Sequence, residues 1–452
     1  MSDRICADLP PSAHEPGDFG RVLWHDGGPA DVLNDWKQLL HTVVPRGWDA
    51  VKPYAGDVMT LVAEPKVLFI AAADLRARGP KAPGPNRLPL DVLSTSELWE
   101  MCTALGHALR ADTYRPGRER VRWVGKASGV GQRPIVLMDV QDRVVQRAAA
   151  RVLRPVLDGL FDPLSFANRP MRGRFEAVAV AEHLALGGHP VWVAHDLADA
   201  YRRVPVPRLM DVFFKLLPCP RLCTLLGRVL PPRARSVGGI KQGGPLSALA
   251  LEVYLTHALH GPWRKRGLPV RLLRYADDLL LAAADESTAR AADALLRELL
   301  TPAGMLLKHS FEEAVRDVRT EPAEWLGFRF RLAGGTTFRT ELGGRAFEKL
   351  GRRFVLAHAK DRPADRAVAV LRQWVSQLGP CFRRKEAESL CTQALLTAQQ
   401  YGFEETVPAI ELVERWAVAQ RAWRKIRRRV RCDPGYLAEG PLAYAAPTSV
   451  VW

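Results

Sequence analysis

The chain has 452 residues, enough for two or three domains with cores of their own. Its formal charge of +16 fits a polyanionic partner, although a generally Arg-rich composition would give the same sign. No apolar run approaches the ~20 residues of a membrane span, and the first residues are polar and acidic where a secretory signal would be apolar. Seven cysteines form no Cys-x-x-Cys pair, which excludes a zinc cluster and a disulfide scaffold and points to a cytoplasmic protein with reduced thiols.

Residues 1–75 read as an N-terminal extension. The first twenty are rich in Pro, Ser, Gly and Asp and are predicted to be loose. Beyond them, apolar residues recur at helical spacing over 31–44 and 58–75, with no chemistry-bearing pattern. Gly79–Pro85 is a loop by composition, and Ser94-Thr95-Ser96-Glu97 opens a capped helix with Leu98, Met101, Leu105 and Leu109 as its stripe. From Arg118 to Val136, two β-like runs flank a Gly-rich turn, which predicts a hairpin with Lys126 and Arg133 near its tip. Such a hairpin can close over a triphosphate, or it can be a solvated basic loop.

A helix is predicted from Asp142 to Leu157. The loop Phe161–Arg174 then carries Arg169, Arg172 and Arg174, a composition that suits phosphates of a template strand or merely solvated arginines. Val191–Asp196 reads as a buried strand ending in a carboxylate, where ligand sites of α/β sheets gather. Asp199 fits an N-cap for the helix that follows. Tyr201 either points back at Asp196 or fills the core. Residues 237–247 are Gly-rich and precede an apolar helix over 248–259. Glycine at such a point lets backbone approach a nucleotide closely, and Gln242 and Gly243 are the candidates; no Gly-Lys-Ser/Thr follows, so this is not a Walker loop.

Asp277 and Asp278 interrupt an apolar run over 270–284 that reads as two short strands meeting at a turn. Two adjacent carboxylates in such a run are costly unless cations offset them, and a pair of divalent cations is what phosphoryl transfer uses. A surface turn favouring Asp is the plain alternative. Residues 287–300 form an amphipathic helix, and Trp325–Phe330 a strand paired in a hairpin with 336–340. Arg-rich helices follow over 345–360, 363–377, 385–400 and 411–431. The last ends in a basic run where Arg424 and Arg428 suit a duplex backbone or a solvated face. Residues 432–452 form a tail broken by Pro and Gly.

Taken in chain order, the basic hairpin, the Arg loop, Asp196 with Tyr201, Gln242-Gly243-Gly244-Pro245-Leu246-Ser247, Tyr275-Ala276-Asp277-Asp278 and Trp325-Leu326-Gly327-Phe328 resemble the reverse transcriptase family from fingers to palm, over roughly residues 75 to 335. The resemblance implies an α+β right-hand polymerase fold. Fingers and a palm of antiparallel sheet plus helices would occupy 76–335, and a helical thumb 336–431. It implies that Asp196, Asp277 and Asp278 are catalytic and hold two Mg²⁺ ions, with Mn²⁺ as a substitute. Lys126 and Arg133 would contact the incoming triphosphate, Tyr201 would exclude a 2′-hydroxyl, and Gln242 and Gly243 would lie beside the nascent base pair. Trp325–Phe328 resembles the primer grip. Arg169, Arg172, Arg174, Arg424 and Arg428 would contact nucleic acid. Lys308 lies near the family's general-acid region but not at its usual lysine position, so no general acid is assigned.

Ala248 replaces a usual proline, and Asn168 breaks the family's common Ser-Phe-Gly-Phe-Arg-Pro form of the Arg loop. With no endonuclease-like segment and no retron signature, the resemblance implies a stand-alone bacterial RNA-directed DNA polymerase. It would use an RNA template and deoxynucleotides, and antiphage defence with a noncoding RNA is the leading role. A maturase-like RNA scaffold with an idle palm, and template-independent or protein-primed synthesis on the same palm, are the alternatives.

Overall fold

The computed structural model describes residues 29–46, 48–56, 58–79, 83–126, 131–234, 236–404 and 406–436. The expected loose start and the tail beyond 436 lie outside the described residues, as does the tip of the basic hairpin.

Four helices open the described chain: α1 (Pro29–Val43), α2 (Trp48–Ala55), α3 (Val58–Val62) and α4 (Pro65–Arg78). The capping box predicted at Ser94 starts α5 (Thr95–Arg110): the Glu97 amide donates to Ser94 Oγ at 3.2 Å and the Ser94 amide to Glu97 Oε2 at 2.7 Å. Strands β1 (Glu119–Gly125) and β2 (Gln132–Met138) pair antiparallel as the basic hairpin. Helix α6 (Val140–Leu157) follows. Leu33, Trp36, Leu40, Val51 and Leu68 share one core with Val144, Val152 and Val156 of α6. The Trp36 indole N–H donates to the Val152 carbonyl at 3.0 Å, across 116 residues. Residue 75 is therefore no boundary in the packing. The expected N-terminal extension is part of the same core, because its apolar stripe has no other surface to cover it.

The central sheet comes next. Its parts are β3 (Ser165–Phe166), α7 (Arg174–Leu186), β4 (Val191–Asp196), the short α8 (Ala200–Arg203), α9 (Val206–Leu216), α10 (Pro220–Val229), α11 (Ser247–Leu255), α12 (Gly261–Arg266), β5 (Arg271–Tyr275), β6 (Asp278–Ala283), α13 (Glu286–Leu300), α14 (Phe311–Ala314) and β7 (Val315–Asp317). The strand order is β3-β5-β6-β4-β7; all neighbours are antiparallel except β3, which runs parallel to β5. Both faces of the sheet are covered, so its strands read as continuous apolar runs rather than alternating ones. Val193, Leu272, Leu279 and Leu281 face α6, α11 and α13, whereas Trp192, Leu273, Leu280 and Ala282 face α7 and a second sheet. Each fully buried Leu contributes roughly 2 kcal/mol, so the central strands are fixed in register by their side chains.

That second sheet is β8 (Ala323–Trp325), β9 (Phe328–Ala333) and β10 (Thr337–Leu342) in the order β10-β9-β8. The single strand expected over Trp325–Phe330 is split, because Leu326 (φ 50°) and Gly327 (φ 76°) make a left-handed turn between β8 and β9. The boundary expected at 335/336 falls inside the β9–β10 turn, so β10 belongs to this sheet and not to the helices beyond it. Trp192 is fully buried and meets Phe330 edge to face at 5.3 Å, which anchors the small sheet on the central one.

Four helices complete the fold: α15 (Ala346–His358), α16 (Pro363–Ser376), α17 (Arg384–Gln400) and α18 (Ala409–Cys432). They enclose a separate core around Leu350, Phe354, Leu371, Trp374, Leu390 and Trp416. Helix α18 also reaches the central sheet's core through Trp423 and Val430. The mixture of helices and sheets is the α+β class expected.

Candidate active site

Strand register brings the carboxylates together. Asp196 ends β4, Asp278 begins β6, and the two are direct cross-strand partners. Directly opposed residues have Cβ atoms about 5 Å apart on the same face. Asp277 lies one residue earlier in the β5–β6 turn, where Ala276 takes φ 57° and the Leu197 amide donates to the Asp277 carbonyl at 2.9 Å. Residues 81 positions apart thus meet at one sheet edge. Burial pushes the Asp278 carboxyl up to about 7, with Asp277 and then Asp196 adding repulsion and Lys308 and Lys349 opposing it. Asp277 is raised too, first by burial and then by Asp196, and is partly relieved by Lys308 and Arg133. Among the described residues, no three acidic, imidazole or thiol side chains form a ready metal-holding group.

Lys308 was given no role by the sequence. Its ammonium lies 2.6 Å from Asp196 Oδ1, and its amide donates to the Asp196 carbonyl at 3.0 Å. The Ala198 amide reaches the Leu306 carbonyl at 2.7 Å, so the segment after α13 is stitched to the end of β4. A lysine 112 residues from its partner leaves no local signal in the sequence.

A second contributor was legible in principle, since an arginine inside a buried strand needs partners. Arg274 is fully buried beneath the turn. It binds both oxygens of Glu252 at 2.7 and 2.9 Å, His260 Nε2 at 2.9 Å and the Ala276 carbonyl at 3.3 Å. Glu252 also accepts from Ser165 Oγ. Arg274 therefore ties the Asp-bearing turn to the helix that begins at the Gly-rich loop.

Around the carboxylates stand the other predicted residues. Burial, and then Asp277, pushes the Tyr201 phenol up to about 12; the Tyr201 carbonyl accepts from the Ile240 amide at 2.9 Å, strapping the Gly-rich loop to it. The Gln242 carbonyl accepts from the Val136 amide at 3.0 Å, so this loop lies along the edge of β2. Gly243 has φ 98°, and a Cβ there would stand 3.2 Å from Ile135 Cγ2. Arg133 is exposed and close enough to act on Asp277. Lys126 pairs with Asp199 at 2.8 Å. Asp199 occupies the N-cap position expected of it, but at φ 49° its side chain caps no amide.

The arginine loop departs most from expectation. Arg169 is almost wholly buried and binds Asp158 Oδ1 at 2.9 Å together with the carbonyls of Asp158, Asp162 and Ser165. Arg172 donates to the Pro163 and Gly435 carbonyls and lies over the Tyr436 ring at 4.5 Å. Arg174 stacks on Phe328 at 4.0 Å. These guanidiniums engage neighbours of the loop, Arg169 most completely. On α18, Arg427 and Arg429 pair with Glu182 and Glu176 of α7, whereas Arg424 and Arg428 are exposed.

Comparison with known proteins gives the family of the middle of the chain. Residues 124–330 match the family model described as reverse transcriptase (RNA-dependent DNA polymerase). That stretch is a reverse transcriptase domain. It contains Asp196, Asp277, Asp278, Lys308, Tyr201 and the Gly-rich loop, and excludes the helices α15–α18. The chain is 27% identical to protein YkfC of Escherichia coli (strain K12) over 238 residues, which is 50% of this chain and 61% of YkfC. It thus spans less than two thirds of that relative. Among solved structures, a chain of a partial Cas6-RT-Cas1–Cas2 complex is 18% identical with a TM-score of 0.31, over 53% of this chain and 41% of that one. Telomerase from Candida albicans, in complex with a fragment of telomeric RNA, is 11% identical with a TM-score of 0.38, over 71% and 67%. Around the reverse transcriptase domain, no described helix is long and apolar enough to cross a membrane.

Proposed function

We propose that the reverse transcriptase domain is catalytically competent and extends a primer 3′-end with deoxynucleotides on an RNA template. The observation that carries this reading is the cross-strand pairing of Asp196 with Asp278, with Asp277 beside them. Their oxygen-only donor set fits Mg²⁺, which polymerase sites hold through one or two carboxylates plus substrate phosphates and not through a closed protein cage. Bound there, the cations would activate the primer hydroxyl and offset charge on the departing pyrophosphate.

The chain's own residues supply the rest. Arg133 and Lys126 reach from the hairpin to the triphosphate, Lys126 being held by Asp199 in a position to swing. Tyr201, whose phenol feels the Asp277 charge, would stand under the sugar and exclude a 2′-hydroxyl. Gly243 lets the loop backbone approach the new base pair. Lys308 holds the Asp196 end of β4 in place. In this reading β1–β2 act as fingers, the central sheet as palm and α15–α18 as thumb, with Arg424 and Arg428 facing the duplex. The biological role consistent with the family resemblance is antiphage defence with a dedicated noncoding RNA; sequencing the RNA that co-purifies with the protein tests it.

The deciding experiment is primer extension on a primed RNA with deoxynucleotides and Mg²⁺. Incorporation that disappears in Asp277→Asn supports the reading. No incorporation on any primed RNA, or biological activity indifferent to Asp277→Asn, sinks it in favour of an RNA-binding scaffold.

A further inference from the structure

The outer face of the small sheet carries charge in two unlike rows. In the first, Arg329 of β9 lies between Glu341 of β10 and Glu324 of β8, each a direct cross-strand partner. In the second, Arg331 lies directly opposite Arg339. Both guanidiniums are exposed, and among the described residues neither has an ion-pair or hydrogen-bond partner. Like charges directly opposed across a sheet are destabilising. The chain places acids beside Arg329 on the very next row and none beside this pair.

The turn beyond adds a second observation. Gly334 and Gly335 have φ 60° and 72°, and a Cβ on either would meet nothing within 4 Å. Exposed Thr336 and Thr337 hydroxyls lie at the same tip. Two guanidiniums, two hydroxyls and an uncovered glycine backbone together make a surface suited to phosphate oxygens. The sheet's position gives that surface a direction. Phe330 and Phe338 pack on Trp192 at 5.3 and 5.9 Å, and Trp192 is four residues along β4 from Asp196, about 13 Å at strand rise.

We propose that the Arg331–Arg339 face of the β9–β10 hairpin binds the sugar–phosphate backbone of the nucleic acid that the domain copies. The phosphate supplies the counter-charge that the sheet omits. This rests on the nucleic-acid reading above, and not on the chemistry at Asp196.

The test uses the full chain and a fluorescently labelled RNA–DNA primer-template, with binding followed by anisotropy between about 50 and 200 mM salt. Arg339→Glu turns a repelling pair into an opposite-charge pair. The melting temperature should rise while affinity falls, with the slope of log affinity against log salt shallower by about 1 to 2. Two unrelated template sequences should lose affinity equally, since a phosphate contact is blind to sequence. The double variant Arg331→Gln, Arg339→Gln keeps the strands uncharged and gives the same binding loss if Arg339→Glu folds poorly. Unchanged binding in both variants overturns the proposal, as does a loss confined to one sequence. If wild-type protein binds primer-template through this pair but extends nothing, the polymerase reading fails and the phosphate surface stands.

Discussion

The acidic edge of the central sheet and the basic segments around it invite opposite treatment. Asp196, Asp277 and Asp278 are crowded, half-buried and mutually repelling, with Lys308 as the direct ionic contact at Asp196. Arg169, Arg427 and Arg429, which look from composition like a nucleic-acid surface, each pair with carboxylates or carbonyls of their own fold. Unsatisfied charge marks a site better than charge does. Carboxylates held together against their own repulsion invite a cation, whereas an arginine paired within its own fold acts as a structural clip.

The largest effect expected from this contrast is on catalysis. Asp277→Asn should lower primer extension by on the order of a thousandfold or more, since it removes a carboxylate that would hold the cations on which phosphoryl transfer depends. Its circular dichroism and melting temperature should stay at or above the wild-type values, because a repelling charge has gone; a collapse of the fold would mean that the acidic edge is structural after all. Next in size is Arg169→Ala. Leaving Asp158 and three carbonyls without their partner should cost about 3 kcal/mol in urea unfolding, with primer-template affinity per folded molecule unchanged. Lost affinity in a stable Arg169→Ala protein would return that residue to the nucleic-acid surface.

A smaller effect concerns pH. The Asp278 carboxyl is raised to about 7, so between its unfolded value near 4 and pH 7 the native state binds more protons than the unfolded chain. Stability contributed here therefore falls as pH rises through that window. Asp278→Asn should raise the melting temperature by a few degrees above pH 7 and give nothing near pH 4. Thermal unfolding across that range without added divalent cation checks it, and a constant difference would mean that the three carboxylates do not repel. The smallest effect is at exposed Arg428: Arg428→Ala should change stability by less than about 0.5 kcal/mol while making the salt dependence of primer-template binding shallower by about 1. Equal behaviour of Arg428→Ala and Arg427→Ala would erase the distinction between free and engaged arginines on α18.

Legibility followed the range of the interaction. The Asp277–Asp278 turn was readable because two acids inside an apolar run contradict their surroundings locally, and the Ser94–Glu97 cap because its whole logic spans four residues. Asp199 misled because an acid before a helix has a common local use, and its true partner, Lys126, is 73 residues away. The split between β8 and β9 was missed although Gly327 stands at the break, since the left-handed turn also enlists Leu326, which nothing in the sequence marks. The merging of the N-terminal helices with α6 depends on packing across more than a hundred residues, which periodicity cannot report.

Helix α18 has one further consequence. Its 24 residues make a rod of about 36 Å. Leu412 and Trp416 are embedded in one core and Trp423 and Val430 in another, and the far end is bolted to α7 through Arg427 and Arg429. Such a girder transmits torque. The bundle α15–α17 should therefore swing with α18 as one lever on the sheet core, and a pair of glycines engineered near residues 417–422, where Gln420 donates to the Phe382 carbonyl at 3.2 Å, would slacken that lever.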